Sequence, residues 1–167
     1  MKLSEITVAG INPAFALLPP GLDTKKARVM SLAIGMQESA FKYRRQMNNG
    51  PAASFWQFEK GGGIRGCINH RASAKHVVNV CMARGVKVST NDIWTAMLSD
   101  DVLGAAMARL LLLTDPRPLP SLDDAQGAWD YYERNWRPGK PHPETWPDYH
   151  NIAARFVLFG EDWSAPQ

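Results

Sequence analysis

The chain has 167 residues, 45% of them apolar and 21% charged, with a formal net charge of +3. This is the length of one domain and an ordinary globular mix, able to bury roughly 70% of the unfolded surface, and it excludes disorder as a class. So small a positive balance is too weak to imply nucleic acid as the partner without a clustered patch, and the longest apolar run, Val102 to Leu113, is interrupted by Arg109 and too short to cross a membrane.

Residues 1–22 read as an irregular N-terminal arm. Pro13, Pro19 and Pro20 rule out a long helix, with room for a short one over Ala14 to Leu18, while Phe15, Leu17 and Leu18 pack back on the core. No apolar stretch ends at a small-residue cleavage site, so a secretory signal is not expected. Asp23 or Thr24 caps the next helix, where Ala27, Met30, Ile34, Gln37/Glu38 and Phe41 recur at three- and four-residue steps. Glu38 therefore falls on or beside the stripe that faces the core. The chain breaks at Asn48-Asn49-Gly50-Pro51, Ser54 to Glu59 is short and extended or turn-rich, and Gly61-Gly62-Gly63 is a mobile link.

A helix over Ser73 to Arg84 stops at Gly85, and a short one capped by Thr90 or Asn91 runs to Leu98. The helix opened by Ser99 to Asp101 carries Val102, Ala105/Ala106, Arg109/Leu110 and Leu113, apolar nearly all round, and should be central. Pro116, Pro118 and Pro120 make a stiff link; Ser121 to Asp124 open a helix to about Trp136. A rigid loop covers 137–143 and a last helix Glu144 to Phe159. The expectation is a mostly α single domain over 1–167, of six or seven helices with little or no β-sheet.

Glu38 has two readings from spacing alone. In one it is a general acid in a partly apolar pocket, kept protonated near neutral pH. In the other it is a helix-end carboxylate that points at solvent or pairs with Lys42 one turn on. Ser54-Phe55-Trp56-Gln57-Phe58 offers aromatic faces and a two-way amide, suited to sugar rings and N-acetyl groups, or else forms a core hairpin whose aromatics fill volume. Trp129, Tyr132 and Trp136 share one helix face, which points to core; a buried Tyr132 hydroxyl would still need a partner, and a catalytic carboxylate would serve. Lys42, Arg44 and Arg45 form a basic run that either meets an anion or ends a helix in solvent. Cys67 and Cys81 make neither a metal spacing nor a disulfide framework, with a single pairing left open. His70, His76, His142 and His150 form no HExxH arrangement, so no metal and no cofactor are expected.

Glu38-Ser39, a loop, Phe55-Trp56-Gln57 and a later tyrosine helix resemble, in order, the soluble lytic transglycosylases and goose-type lysozymes. There an ES dipeptide supplies the catalytic acid, a G-L-M-Q element lines the cleft and an A-Y-N-like element adds a tyrosine. This chain keeps only the glutamine of the second element and lacks the asparagine of the third. It resembles more closely a set of short lysozyme-like phage and prophage proteins. These read roughly AIGLQES, GPAxxFWQFExGGG, SDDV and WDYYxxxWRPGKP, matched here at Ala33 to Ser39, Gly50 to Gly63, Ser99 to Val102 and Trp129 to Pro141, a resemblance spanning about residues 12–155.

The resemblance implies a lysozyme-like fold and cleavage of peptidoglycan glycan strands between N-acetylmuramic acid and N-acetylglucosamine by transglycosylation. Glu38 would be the acid and base, Gln57 and Tyr132 would hold substrate or Glu38, and Ser39, Phe55 and Trp56 would shape the cleft. Two alternatives stay open. A lysozyme-type hydrolase needs a second carboxylate at about 5–5.5 Å for retention or about 6.5–9.5 Å for inversion, for which Glu59 is the first candidate and Asp100 and Asp101 follow. A non-catalytic virion or wall-binding protein is the other. The expected setting is a monomer made without a signal peptide and acting at the bacterial wall or periplasm. Delivery by a phage particle, with its components as partners, is part of that expectation; nucleic acid and membrane are not.

Overall fold

A computed structural model describes residues 1–164, so the last three positions of the expected 1–167 domain lie outside the described residues. The described residues are mostly helical, and their β pairing is limited to isolated bridges: Lys2 with Ser164, Arg45 with Ala53 and Ala53 with Phe58. No described helix is long and apolar enough to cross a membrane.

The N-terminal segment corrects the expectation of an irregular arm. Helix α1 (Leu3–Ile6) continues through a π-helical turn (Thr7–Ile11) into α2 (Asn12–Ala16), followed by a 3-10 turn (Pro20–Leu22). Pro13 comes just after the π-helical turn, so its missing N–H falls where the helical register changes from π to α. Leu3, Ile6 and Ile11 are fully buried, Phe15 and Leu18 lie in the core as their apolarity suggests, and Leu17 packs at its edge. Burial of these side chains organises a segment whose proline content alone argues against helix.

Helix α3 (Lys25–Ser39) is capped by Thr24, whose Oγ1 accepts from Ala27 N at 3.1 Å. It is buried without interruption from Val29 to Met36 and then emerges at Gln37, Glu38 and Ser39. The helix ends earlier than its apolar spacing implies. Ala40 and Phe41 both take left-handed backbone, with φ of 50° and 52°, and the Phe41 ring folds back against Gly35. Only a residue without Cβ leaves room for that ring, so Gly35 is a packing glycine.

Short helix α4 (Arg65–Asn69), which the sequence does not announce, follows a distorted turn at Lys60–Ile64. The triple glycine is no mobile link at its last member: a Cβ on Gly63 would lie 2.7 Å from the Phe58 ring, so the chain is pressed against that side chain. Helices α5 (Ala74–Arg84), α6 (Thr90–Ala96) and α7 (Asp101–Thr114) come next, with Ser89 capping α6 and Asp100 capping α7 through their side-chain oxygens. Helix α7 is buried from Leu103 to Leu112 and touches the N-terminal helices, α3, α4 and α5. Helix α8 (Ala125–Trp136), capped by Asp124, and α9 (Trp146–Phe159) complete the described elements. Helix α9 packs chiefly on α3. Cys67 and Cys81 are both buried free thiols.

Candidate active site

The site is assembled on the segment that leaves α3. Between Ala53 and Phe58 the backbone makes a tight turn, closed by Phe58 N donating to Ala53 O at 2.7 Å and Ala53 N to Phe58 O at 2.9 Å. Three bonds pin this turn. Trp56 Nε1 donates to Ser31 O of α3 at 2.7 Å, Trp136 Nε1 at the end of α8 donates to Trp56 O at 2.9 Å, and Ser39 Oγ donates to Phe55 O at 2.8 Å. The end of α3, the turn and the end of α8 are thereby tied together by buried or half-buried hydrogen bonds, which are costly to break in a medium that offers no substitute.

Phe55 and Trp56 are 1% and 0% exposed and do not line the cleft. The expectation that they shape it is therefore corrected to a structural role. Each packs edge-on against Phe41 and against the other, so their area is used in the core. Ser39 and Gln57 do line the cleft. The Gln57 amide, however, donates to Ser54 O at 2.7 Å and Tyr43 O at 3.2 Å, so it braces backbone and does not bond Glu38.

The cleft has a volume of about 1240 Å³ and holds Glu38 beside Tyr43, Gln57, Glu59 and the 137–142 loop, with Arg65 also on its lining. Glu38 Oε1 accepts a 2.6 Å hydrogen bond from the Tyr132 hydroxyl, bridging 94 positions of sequence. Burial pushes the Glu38 carboxyl from an ordinary 4.5 up to about 7, with the tyrosine bond acting in the opposite direction. Its place in the last turn of α3 adds to the effect in sign, because the negative end of the helix dipole disfavours a carboxylate. A carboxyl that accepts on Oε1 carries its proton, when protonated, on Oε2.

Tyr132 is 2% exposed and is held by an aromatic stack. Trp146 of α9 lies parallel to it at 5.0 Å and 12°, and Trp129 and Trp136 flank it at 5.3 and 6.2 Å. The shared face of Trp129, Tyr132 and Trp136 is thus a core face, and the tyrosine hydroxyl at its edge finds the carboxylate. Trp146 escapes sequence reading because nothing in its own helix marks it as Tyr132's neighbour. Gln37 adds a further brace, donating to His142 O at 3.0 Å and accepting from Thr145 Oγ1 at 3.0 Å, which joins the Glu38 turn to the 137–143 loop.

Glu59, Asp100 and Asp101 are the candidates for a second carboxylate. Glu59 is exposed and lines the cleft. Asp100 caps α7 and pairs with Arg84, and Asp101 pairs with Arg44, both at 2.8 Å, so these two are committed to structure. Arg44 also lies 4.3 Å from the centre of the Phe55 ring, so the basic run contributes a core contact. Among the described residues no three His, Cys, Asp or Glu side chains gather closely enough to hold a metal ion.

Backbone strain gathers in the same place. Among the described residues the non-glycine positions with positive φ are Ala40, Phe41, Asn48, Asn49, Ser54, Gln57 and Arg137. All lie in the two segments that border the cleft. Each costs about 1 kcal/mol, less for the asparagines, and such strain persists where the surrounding packing over-determines it, often at functional sites. Comparison with family models, with curated proteins and with solved structures gives no match.

Proposed function

We propose that this protein is a lysozyme-like glycosidase that cleaves the peptidoglycan glycan strand between N-acetylmuramic acid and N-acetylglucosamine, acting as a lytic transglycosylase. One observation carries the proposal: a half-buried glutamic acid, raised to about 7 and oriented by a buried tyrosine, faces a cleft large enough for a polymer segment. A carboxyl that is half protonated near neutral pH is suited to give a proton and then take one back. The four blocks that resemble phage lysozyme-like proteins agree with it, and two of them supply Glu38 and Tyr132.

In this mechanism the Glu38 Oε2 proton passes to the glycosidic oxygen as the bond to the muramoyl anomeric carbon breaks. The resulting Glu38 carboxylate takes the proton from the muramoyl 6-hydroxyl, whose oxygen closes on the same carbon to give a 1,6-anhydro sugar. Glu38 ends protonated, and no water is consumed. Tyr132 keeps Oε1 occupied, so that one oxygen serves both transfers. A second reading, hydrolysis, is favoured by Glu59 lining the same cleft, where it would activate water.

Mass spectrometry of fragments released from purified sacculi tests both. Anhydro ends from the wild type and none from Glu38→Gln are the expected result. Reducing ends move the assignment to hydrolysis with Glu59. No fragments from folded wild-type protein would leave a wall-binding or virion role in place of the enzyme.

A further inference from the structure

The cleft has a neighbour. Across the Glu59–Gly61 rim that both share lies a second hollow of about 340 Å³, lined also by Arg45, Pro51, Lys60 and Trp94. Trp94 belongs to α6 and is anchored by its Nε1, which donates to Pro51 O at 2.7 Å. Two cations attend its ring: Lys60 Nζ at 4.7 Å from the centroid and the Arg45 guanidinium at 5.9 Å. Asn91 Oδ1 accepts from Lys60 at 2.7 Å and so fixes the ammonium.

These cations differ from many others on the surface. Arg28, Arg44, Arg84, Arg134 and Arg155 each face a carboxylate at 2.6–2.8 Å. Among the described residues Arg45 and Lys60 have no such partner, and Glu59 on the rim is the one acid that lines the hollow. Two cations and one carboxylate around an indole complement a short group that carries both a carboxylate and an ammonium on an apolar frame. The volume is near the lower end of the range for small-ligand sites, about 300–1,000 Å³, which suits a side group and not a second chain.

We infer that the Trp94 hollow is a subsite for a zwitterionic, carboxylate-bearing side group of the polymer whose backbone lies in the Glu38 cleft. The inference rests on the peptidoglycan proposal, in which that side group is the stem peptide. Its carboxylate meets Arg45 and Lys60, and its ammonium meets Glu59.

The test uses Glu38→Gln protein, so that strands survive, and compares it with the same protein also carrying Arg45→Gln and Lys60→Gln, both surface positions. Binding is measured by sedimentation with glycan strands that bear stem peptides and with the same strands stripped by an amidase. Peptide-bearing strands should bind about fivefold more tightly, the sum expected from two exposed charge contacts, and the preference should vanish in the triple variant and at high salt. The Trp94 indole N–H resonance, assigned with Trp94→Phe, should shift on titration with the free stem tripeptide. Equal binding of the two strands, no binding of either, or a preference that survives in the triple variant overturns the subsite. An indole that responds to inorganic phosphate and not to tripeptide does so too. Equal binding alongside normal cleavage by the wild type removes the subsite and leaves the glycosidase standing; preference without any cleavage does the reverse.

Discussion

The last turn of α3 and the middle of α7 each carry an ionisable side chain into the interior, Glu38 in one and Arg109 in the other. Arg109 is 5% exposed, donates from Nε to Leu22 O at 2.8 Å and does not line the cleft. Burial lowers its pKa, with Tyr131 and Asp23 acting against that. It fastens the 3-10 turn at Pro20–Leu22 to the core. Glu38 has a tyrosine on one oxygen and the open cleft beside it. A buried charge closed in on all sides is a fastening; a buried acid that lines a cavity, as Glu38 does, can exchange a proton with what enters it. The difference lies in the surroundings, since both sit on helices of the core.

The largest expected effect separates the two directly. Glu38→Gln should reduce the rate of strand cleavage by about 10²–10⁴, the range for loss of a general acid–base. Near-wild-type turnover by that variant would place Glu38 with Arg109 as a structural group.

Arg109→Ala should cost about 3 kcal/mol of stability in denaturant unfolding, through lost packing of its stem and a Leu22 carbonyl left without a donor. The pH profile of cleavage should not move. A profile that moves would show that α7 takes part in the chemistry.

Stability against pH gives a smaller effect of opposite sign at the cleft. Between pH 4.5 and 7 the folded chain holds a proton on Glu38 that the unfolded chain has released, so stability falls as pH rises through that window. A pKa change of this size corresponds to about 3 kcal/mol, reduced to about 2 kcal/mol by the partial exposure of the carboxyl. Glu38→Gln should therefore be more stable than wild type by about 2 kcal/mol at pH 8, and the advantage should disappear below the ordinary carboxyl pKa. Equal stability at both pH values would mean that the carboxyl is not desolvated.

Tyr132→Phe should have the smallest effect. The tyrosine bond lowers the Glu38 pKa, so its loss should raise that pKa further and carry the alkaline limb of the cleavage profile upward, with a rate loss of roughly tenfold for one hydrogen bond to a charged group. An unmoved limb would detach the tyrosine from the titration.

Much of this is legible in the residues themselves. Local signals located several helices: apolar spacing and a polar start for α3 and α7, the Ser121 to Asp124 start for α8 and Gly85 for the end of α5, each a property of neighbouring residues in the chain. Glu38 stood out for the same reason, as an acid on an apolar face. The aromatic turn was ambiguous in the way short apolar runs are: Phe55 and Trp56 went to the core, and only Ser39 and Gln57 of that wall kept contact with the cleft.

What the sequence alone determined is a mostly α chain with one misplaced carboxylate and, 94 positions on, a tyrosine that needed a partner. What only the tertiary structure decided is that they meet. The left-handed residues at Ala40 and Phe41, the stack of Trp146 on Tyr132 and the burial that raises Glu38 all depend on packing between segments far apart in the chain. No local periodicity reports the surroundings a side chain will have. Those surroundings set whether a charged group fastens the fold or faces a cleft.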